Sequence, residues 1–228
     1  RTTDEEKMPC DDLILDAYSA RQAILTIDLR CEDEPGSDDV SALAEYLLNL
    51  INLKAMARIP IEAAGGEVLA TVDARIIPSV FSLFETTEAA FSAMGALFDI
   101  FKQHGATMGC SPSLALAVSD EVLNLGGANA YGSAVNTAFK LGEDIAEPDQ
   151  VLIALEAYLE IGESKQNYPF ELSNQTLSGV TFEFYRLNWR TGEAGISSPH
   201  NGRGLLSNQE SGAKMLLKAG AQRGYQKQ

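Results

Sequence analysis

Residues 21–29 carry an apolar run, Ala23-Ile24-Leu25-Thr26-Ile27, closed by Asp28. A short run without alternation predicts a strand buried on both faces, in the middle of a sheet. The period then changes. An acidic loop over 31–37 contains Pro35 and Gly36, and Ser37, Asp38 and Asp39 supply an N-cap and a negative first turn. Apolar residues then recur at Val40, Leu43, Ala44, Leu47, Leu48 and Ile51, which predicts a helix with one buried stripe made of those residues. Gly65-Gly66 opens a strand over 67–72, and Asp73-Ala74 turns it into a second strand over 76–84, a β-hairpin. Thr86 or Thr87 caps a second helix, with Ala90, Phe91, Met94, Leu97, Phe98 and Phe101 on one side and His104-Gly105 as its stop. The stretches 114–118 and 122–125 predict a strand pair around Ser119-Asp120. Past Gly126-Gly127 come a helix containing Asn136 and a short strand over 150–153. The stretches 170–173 and 180–187 predict a closing hairpin, its second strand alternating Val180, Phe182 and Phe184 with Thr181, Glu183 and Tyr185. The order β-α-β-β-α-β with appended strands describes an α+β fold. It is a ferredoxin-like sandwich with extra C-terminal strands and its helices on one face of an antiparallel sheet.

Composition sharpens this reading. The 228 residues, 45% of them hydrophobic, suffice for one well-filled core and an appendage. No apolar run approaches the roughly 20 residues of a membrane helix; the best candidate is broken by Asn49, Asn52 and Lys54. The net charge of −15 argues against non-specific binding to nucleic acid or to an anionic membrane surface. From Arg190 onward, Arg190, Arg203, Lys214, Lys218, Arg223 and Lys227 stand against Glu193 and Glu210, so the tail is +4 and residues 1–189 are −19. Three divisions follow: an acidic N-terminal segment over 1–19, a folded domain over 20–189, and a basic Gly/Ser-rich extended tail over 190–228. The N-terminal segment lacks the apolar core of a signal peptide, and a chain that starts at Arg1 without an initiator Met is expected to be a piece of something longer. Cys10, Cys31 and Cys110 are odd in number, widely spaced and without a metal-ligand pattern. They predict unpaired thiols in a reducing, intracellular compartment.

Several candidate chemistries fall away. His104 and His200 are the only histidines, and neither is paired with a Ser or Cys nucleophile. Ser111-Pro112-Ser113 and Gly126-Gly127 are turn chemistry without phosphate-loop spacing. Asp38-Asp39 and Asp4-Glu5-Glu6 lack the ligand spacing of a cation loop. The tail's apolar clusters, Leu205-Leu206 and Met215-Leu216-Leu217, are too small for a core of its own. The tail is therefore expected to dock on a protein surface through Arg203, Lys214, Met215, Leu216, Lys218 and Arg223.

The stretch 131–144 reads Tyr-Gly-Ser-Ala-Val-Asn-Thr-Ala-Phe-Lys-Leu-Gly-Glu-Asp. It resembles the segment of class III nucleotidyl cyclases that carries the transition-state asparagine. The likeness extends over about 20–188 through Ile24-Leu25-Thr26-Ile27-Asp28, Gly65-Gly66-Glu67-Val68-Leu69, Asp149-Gln150-Val151-Leu152-Ile153 and Leu177-Ser178-Gly179-Val180. The resemblance implies that Asn136 holds the substrate ribose and that Lys140, one turn later on the same helix face, meets the triphosphate. Asp28 and a hairpin-turn aspartate would hold two Mg or Mn ions that lower the pKa of the ribose 3′-oxygen. It also implies a site completed between two cyclase domains.

This chain departs from that pattern. Where the family has Gly-Asp-Gly it has Asp73-Ala74-Arg75, so strict alignment puts Ala74 at the second metal position, and Asp73 serves only if the turn shifts by one residue. The phosphate loop is Cys31-Glu32-Asp33-Glu34, whose carboxylates repel a triphosphate. The base-reading positions correspond to Ala70 and Ser133. The expectation is a cyclase-homology domain without autonomous catalysis, a structural or regulatory subunit. It would work as a homo- or hetero-dimer or in a larger complex, with no cofactor, or with Mg or Mn at a residual site. The alternative is an active dimeric cyclase acting on ATP or GTP.

Overall fold

A computed structural model describes residues 19–31, 39–69, 79–124 and 130–188. In chain order the elements are β1 (Ser19–Cys31), α1 (Val40–Ala63), β2 (Glu67–Leu69), β3 (Ser79–Phe84), α2 (Thr87–Ala106), β4 (Cys110–Asn124) and β5 (Ala130–Tyr131). There follow α3 (Ser133–Phe139), which runs directly into a π-helical turn (Lys140–Ile145), β6 (Gln150–Ala154), α4 (Leu155–Glu160), a 3-10 turn (Glu163–Asn167), β7 (Glu171–Leu177) and β8 (Val180–Asn188). The sheet runs β2-β3-β1-β4-β6-β8-β7, with β5 paired to β4. Its first four strands have the ferredoxin-like order, and the split βαβ units leave β1 at the centre.

The uninterrupted apolar run of β1 has the predicted consequence: Ala23, Ile24, Leu25 and Ile27 are fully buried between β3 and β4. Side chains on the two faces of β1 meet different layers. Gly105 of α2 lies so close to Leu29 that a Cβ there would sit 2.9 Å from its Cδ2, whereas Gly142 of the π-turn would place a Cβ 2.7 Å from Thr26 Oγ1. Residues 26 and 29 point to opposite faces. The helix bearing Asn136 therefore packs across the sheet from α2, which corrects the expectation of helices on one face only. The sheet is also mixed, because β6 runs parallel to β4.

The starts of α1 and α2 each follow from a side chain. Asp39 accepts from the Ser41 and Ala42 amides at 3.1 and 3.0 Å, and Thr86 accepts from the Ala89 amide at 3.2 Å. Helix α2 runs through His104-Gly105, the expected stop, to Ala106, because Gly105 is needed for contact with β1 and not for a turn. Helix α1 buries Leu50, Leu53, Ala57 and Ile61, while Val40, Ala44, Leu48 and Ile51 of the expected stripe are exposed. Two apolar stripes share this helix; of the predicted one only Leu43 and Leu47 are half-buried, and none is in the buried set. The strand pair expected around Ser119-Asp120 is a single strand, β4. It carries an irregularity opposite Arg21, where Ala20 faces Val122 and Gln22 faces Ser119, and such a bulge bends a strand without ending it.

The thiol expectation is overturned. Cys31 and Cys110 are register partners across β1 and β4 and form a disulfide over a separation of 79 residues. Spacing along the chain hides a pair that only strand register creates. Since persistent disulfides belong to oxidising surroundings, the thiol argument for a reducing compartment no longer holds. Cys10 lies outside the described residues. Among those described, no helix is long and apolar enough to cross a membrane.

Candidate functional site

Asp28 ends the buried run of β1 and is half-buried at the edge of the core. Strand register sets Ser79 of β3 directly opposite, and its hydroxyl donates to Asp28 Oδ1 at 2.8 Å. Arg30, two residues on and so on the same strand face, and Lys54 of α1 act on the Asp28 carboxylate electrostatically. Burial raises the Asp28 pKa, against the lowering influence of the Ser79 hydrogen bond, the Arg30 charge, the Leu29 amide and the Lys54 charge. Lys54 is depressed by its own desolvation, which Asp28 opposes. One hydroxyl bonds the acid and two cations favour its charged form, but burial outweighs them.

Arg30 also reaches the layer above. Its guanidinium donates to the carbonyl of Gly142 at 2.9 Å and to that of Glu143, and it lies 3.5 Å from Ser113 Oγ, which itself donates to the Gly142 carbonyl at 3.2 Å. The last carbonyls of a helix lack intrahelical partners, and a guanidinium supplies them. The π-turn therefore ends on Arg30. That turn carries Glu143 toward Asp28; desolvation, then the Asp28 and Asp144 charges, push its pKa up to about 7, with Arg30 and Lys140 opposing.

Asn136 is exposed on α3. Lys140 lies one turn later, as the spacing predicts, but its ammonium is held by Asp144 at 2.6 Å. Ser133 is exposed at the start of α3 and donates to Ser119 Oγ at 2.9 Å. The Tyr131-Gly132 turn demands glycine: its φ is +142°, and a Cβ there would lie 2.4 Å from the Glu121 carbonyl oxygen. Ala70, Asp73, Arg203, Lys214, Met215, Leu216, Lys218 and Arg223 lie outside the described residues, as do positions 32–38 of the phosphate-loop segment.

The structure thus gathers Asp28, Ser79, Arg30, Lys54 and Glu143, of which sequence reasoning singled out only Asp28. Arg30 carried a legible signal, since residues two apart on a strand share a face. Ser79 and Glu143 carried none, because register and a π-turn bring them there. Among the described residues, no three or more His, Cys, Asp or Glu form a group that could hold a metal ion. Of the two positions that the family pattern gives to metal ions, Asp28 is described and the hairpin turn over 73–75 lies outside the described residues.

A separate open cleft of about 670 Å³ lies toward the other end of β1, lined by Arg21, Ser119, Asp120, Ser133, Thr137 and Glu160 among others. Arg21 is ion-paired there to both Asp120 and Glu160.

No family model matches the chain, and no curated protein is significantly similar in sequence. Solved structures match it strongly. An adenylate/guanylate cyclase/hydrolase from Silicibacter pomeroyi superposes with a TM-score of 0.56 at 19% identity, over 73% of this chain and 95% of that one. An adenylate cyclase from Trypanosoma brucei gives 0.53 at 16%, over 74% and 88%. The guanylyl cyclase Cya2 gives 0.54 at 16%, over 81% and 98%. The described chain has the fold of adenylate and guanylate cyclase catalytic domains.

Proposed function

We propose that this chain, which carries the cyclase catalytic-domain fold, is a cyclase-homology domain that has lost autonomous nucleotidyl cyclase activity and works as a structural or regulatory subunit. The observation that carries this reading is the state of Asp28. Its carboxylate accepts from Ser79 and lies in the fields of Arg30 and Lys54, so a metal ion would compete for it with groups of the protein. Lys140 is likewise engaged by Asp144. Together with Ala74 at the second metal position of the strict alignment and no recognisable base-reading pair, these contacts leave Asn136 as the one element of the family's chemistry with nothing against it. A domain of this kind acts by contact with a partner, to which the basic residues of the tail offer a docking surface.

The alternative is an active dimeric cyclase. It draws support from Asn136, exposed on its helix, and from Asp28, half-buried at the end of the first strand. The two readings separate in one assay. The full chain, incubated at high concentration with ATP or GTP and Mn²⁺, is expected to form no cyclic nucleotide above background, with Asp28→Ala indistinguishable from it. Turnover that Asp28→Ala abolishes would establish the active enzyme.

A further inference from the structure

Helix α1 carries an apolar stripe that faces away from the core. Val40 (74% exposed), Leu48 (59%), Ile51 (50%) and Ile59 (57%) stand in water, with Ala44 and Ala55 exposed between them. At 100° per residue these positions fall within about 100° of arc, a coherent face on the solvent side of the helix. The buried residues Leu50, Leu53, Ala57 and Ile61 form a different face. Burial against the sheet therefore does not account for the apolar character of the exposed stripe.

The stripe has an internal symmetry. Its members are spaced by four, four, three, four and four residues, which reads the same in both directions, and so does the order of sizes: large, small, large, large, small, large. Two such helices laid antiparallel about a two-fold axis between 48 and 51 set Val40 against Ile59, Ala44 against Ala55 and Leu48 against Ile51, each pair made twice. A two-fold interface has this reciprocal form, residue i meeting j while j meets i, and a different partner imposes no palindrome. The inner four positions have the four-three-four spacing of a coiled-coil seam, and the alanines on either side of the centre let the two helix axes approach closely. Arg58 and Glu62, ion-paired to each other at 3.7 Å, fall within the same arc at its C-terminal end.

We infer that α1 is a self-association surface, through which two copies of this chain pair antiparallel across the 40–59 stripe. The inference does not use Asp28, Asn136 or Lys140 and stands whether or not the chain turns over nucleotide. A single helix pair buries an area at the small end of protein interfaces, so the dimer is of modest affinity.

Sedimentation equilibrium of the full chain, up to roughly 100 µM in view of that small area, tests the pairing. The wild type is expected to dimerise. Leu48→Glu alone and Ile51→Lys alone are expected to be monomers, because each buries two unpaired charges. An equimolar mixture of the two variants is expected to form a heterodimer, in which the introduced acid faces the introduced ammonium and Ile51 faces Leu48. Both positions are exposed, so the variants keep the wild-type circular dichroism spectrum. A monomeric wild type, as when another segment of the chain covers the stripe, would overturn the inference. So would a variant that stays dimeric alone, or a mixture of variants that stays monomeric.

Discussion

Arg30 occupies a position where one side chain decides the character of the site. Placed two residues beyond Asp28 on β1, it lowers the energy of the Asp28 carboxylate and closes the π-turn through the Gly142 and Glu143 carbonyls. Glu143 is held near Asp28 by that same closure, at a cost to its charged form. Its pKa rises from 4.5 to about 7, first from desolvation and then from Asp28 and Asp144. A raised folded-state value means that the native protein binds the proton more tightly than the unfolded chain. Glu143 therefore contributes stability that is complete below about pH 4.5 and lost as pH rises through 7. Thermal unfolding of wild type and Glu143→Gln from pH 4.5 to 8 checks this: the variant gains on the wild type as pH rises, and a difference independent of pH would contradict it. The sequence showed Asp28 because it ends an apolar run, and it could not show Glu143, whose approach depends on a change of helical period at Lys140.

At the scale of elements, the π-turn and β1 fit because of one absent side chain. Gly142 faces Thr26 Oγ1 at a distance no Cβ tolerates, while Ala115 Cβ, at 3.5 Å, leaves ordinary room. Gly142→Ala is expected to lower the urea midpoint by an amount equivalent to about 1–3 kcal/mol, the usual cost of overpacking. Thr26→Ala in the same chain should restore part of it. Additive losses in the double variant would show that the contact is not the cause. Element types were legible wherever a single pattern dominated: β1 from its unbroken apolar run, α2 from one continuous stripe, and the closing hairpin from the alternation of Val180, Phe182 and Phe184 with Thr181, Glu183 and Tyr185. They were not legible where two patterns overlapped. Helix α1 offers two apolar stripes, and a period of 3.6 residues marks each as a face without saying which one the sheet covers. The bulge opposite Arg21 likewise reads as a turn, since Ser119-Asp120 is turn chemistry whose effect here is to bend β4.

For the whole molecule, strand order was the most legible property, because the alternation of elements and the Tyr131–Asp144 stretch pointed to the same architecture. The disulfide was the least legible, because Cys31 and Cys110 meet through register. The described chain has the fold of a cyclase catalytic domain, and the groups that the proposed reading takes as spent are engaged within the protein: Asp28 by the Ser79 hydroxyl and the fields of Arg30 and Lys54, and Lys140 by Asp144. That internal engagement is the central claim, and calorimetric titration of the full chain with ATP and GTP in the presence of Mn²⁺ tests it most directly. The account predicts no saturable heat with either nucleotide in a sample shown to be folded. Saturable binding that disappears in Asp28→Ala would contradict it, since it would mean that Asp28 remains free to hold a metal–nucleotide complex.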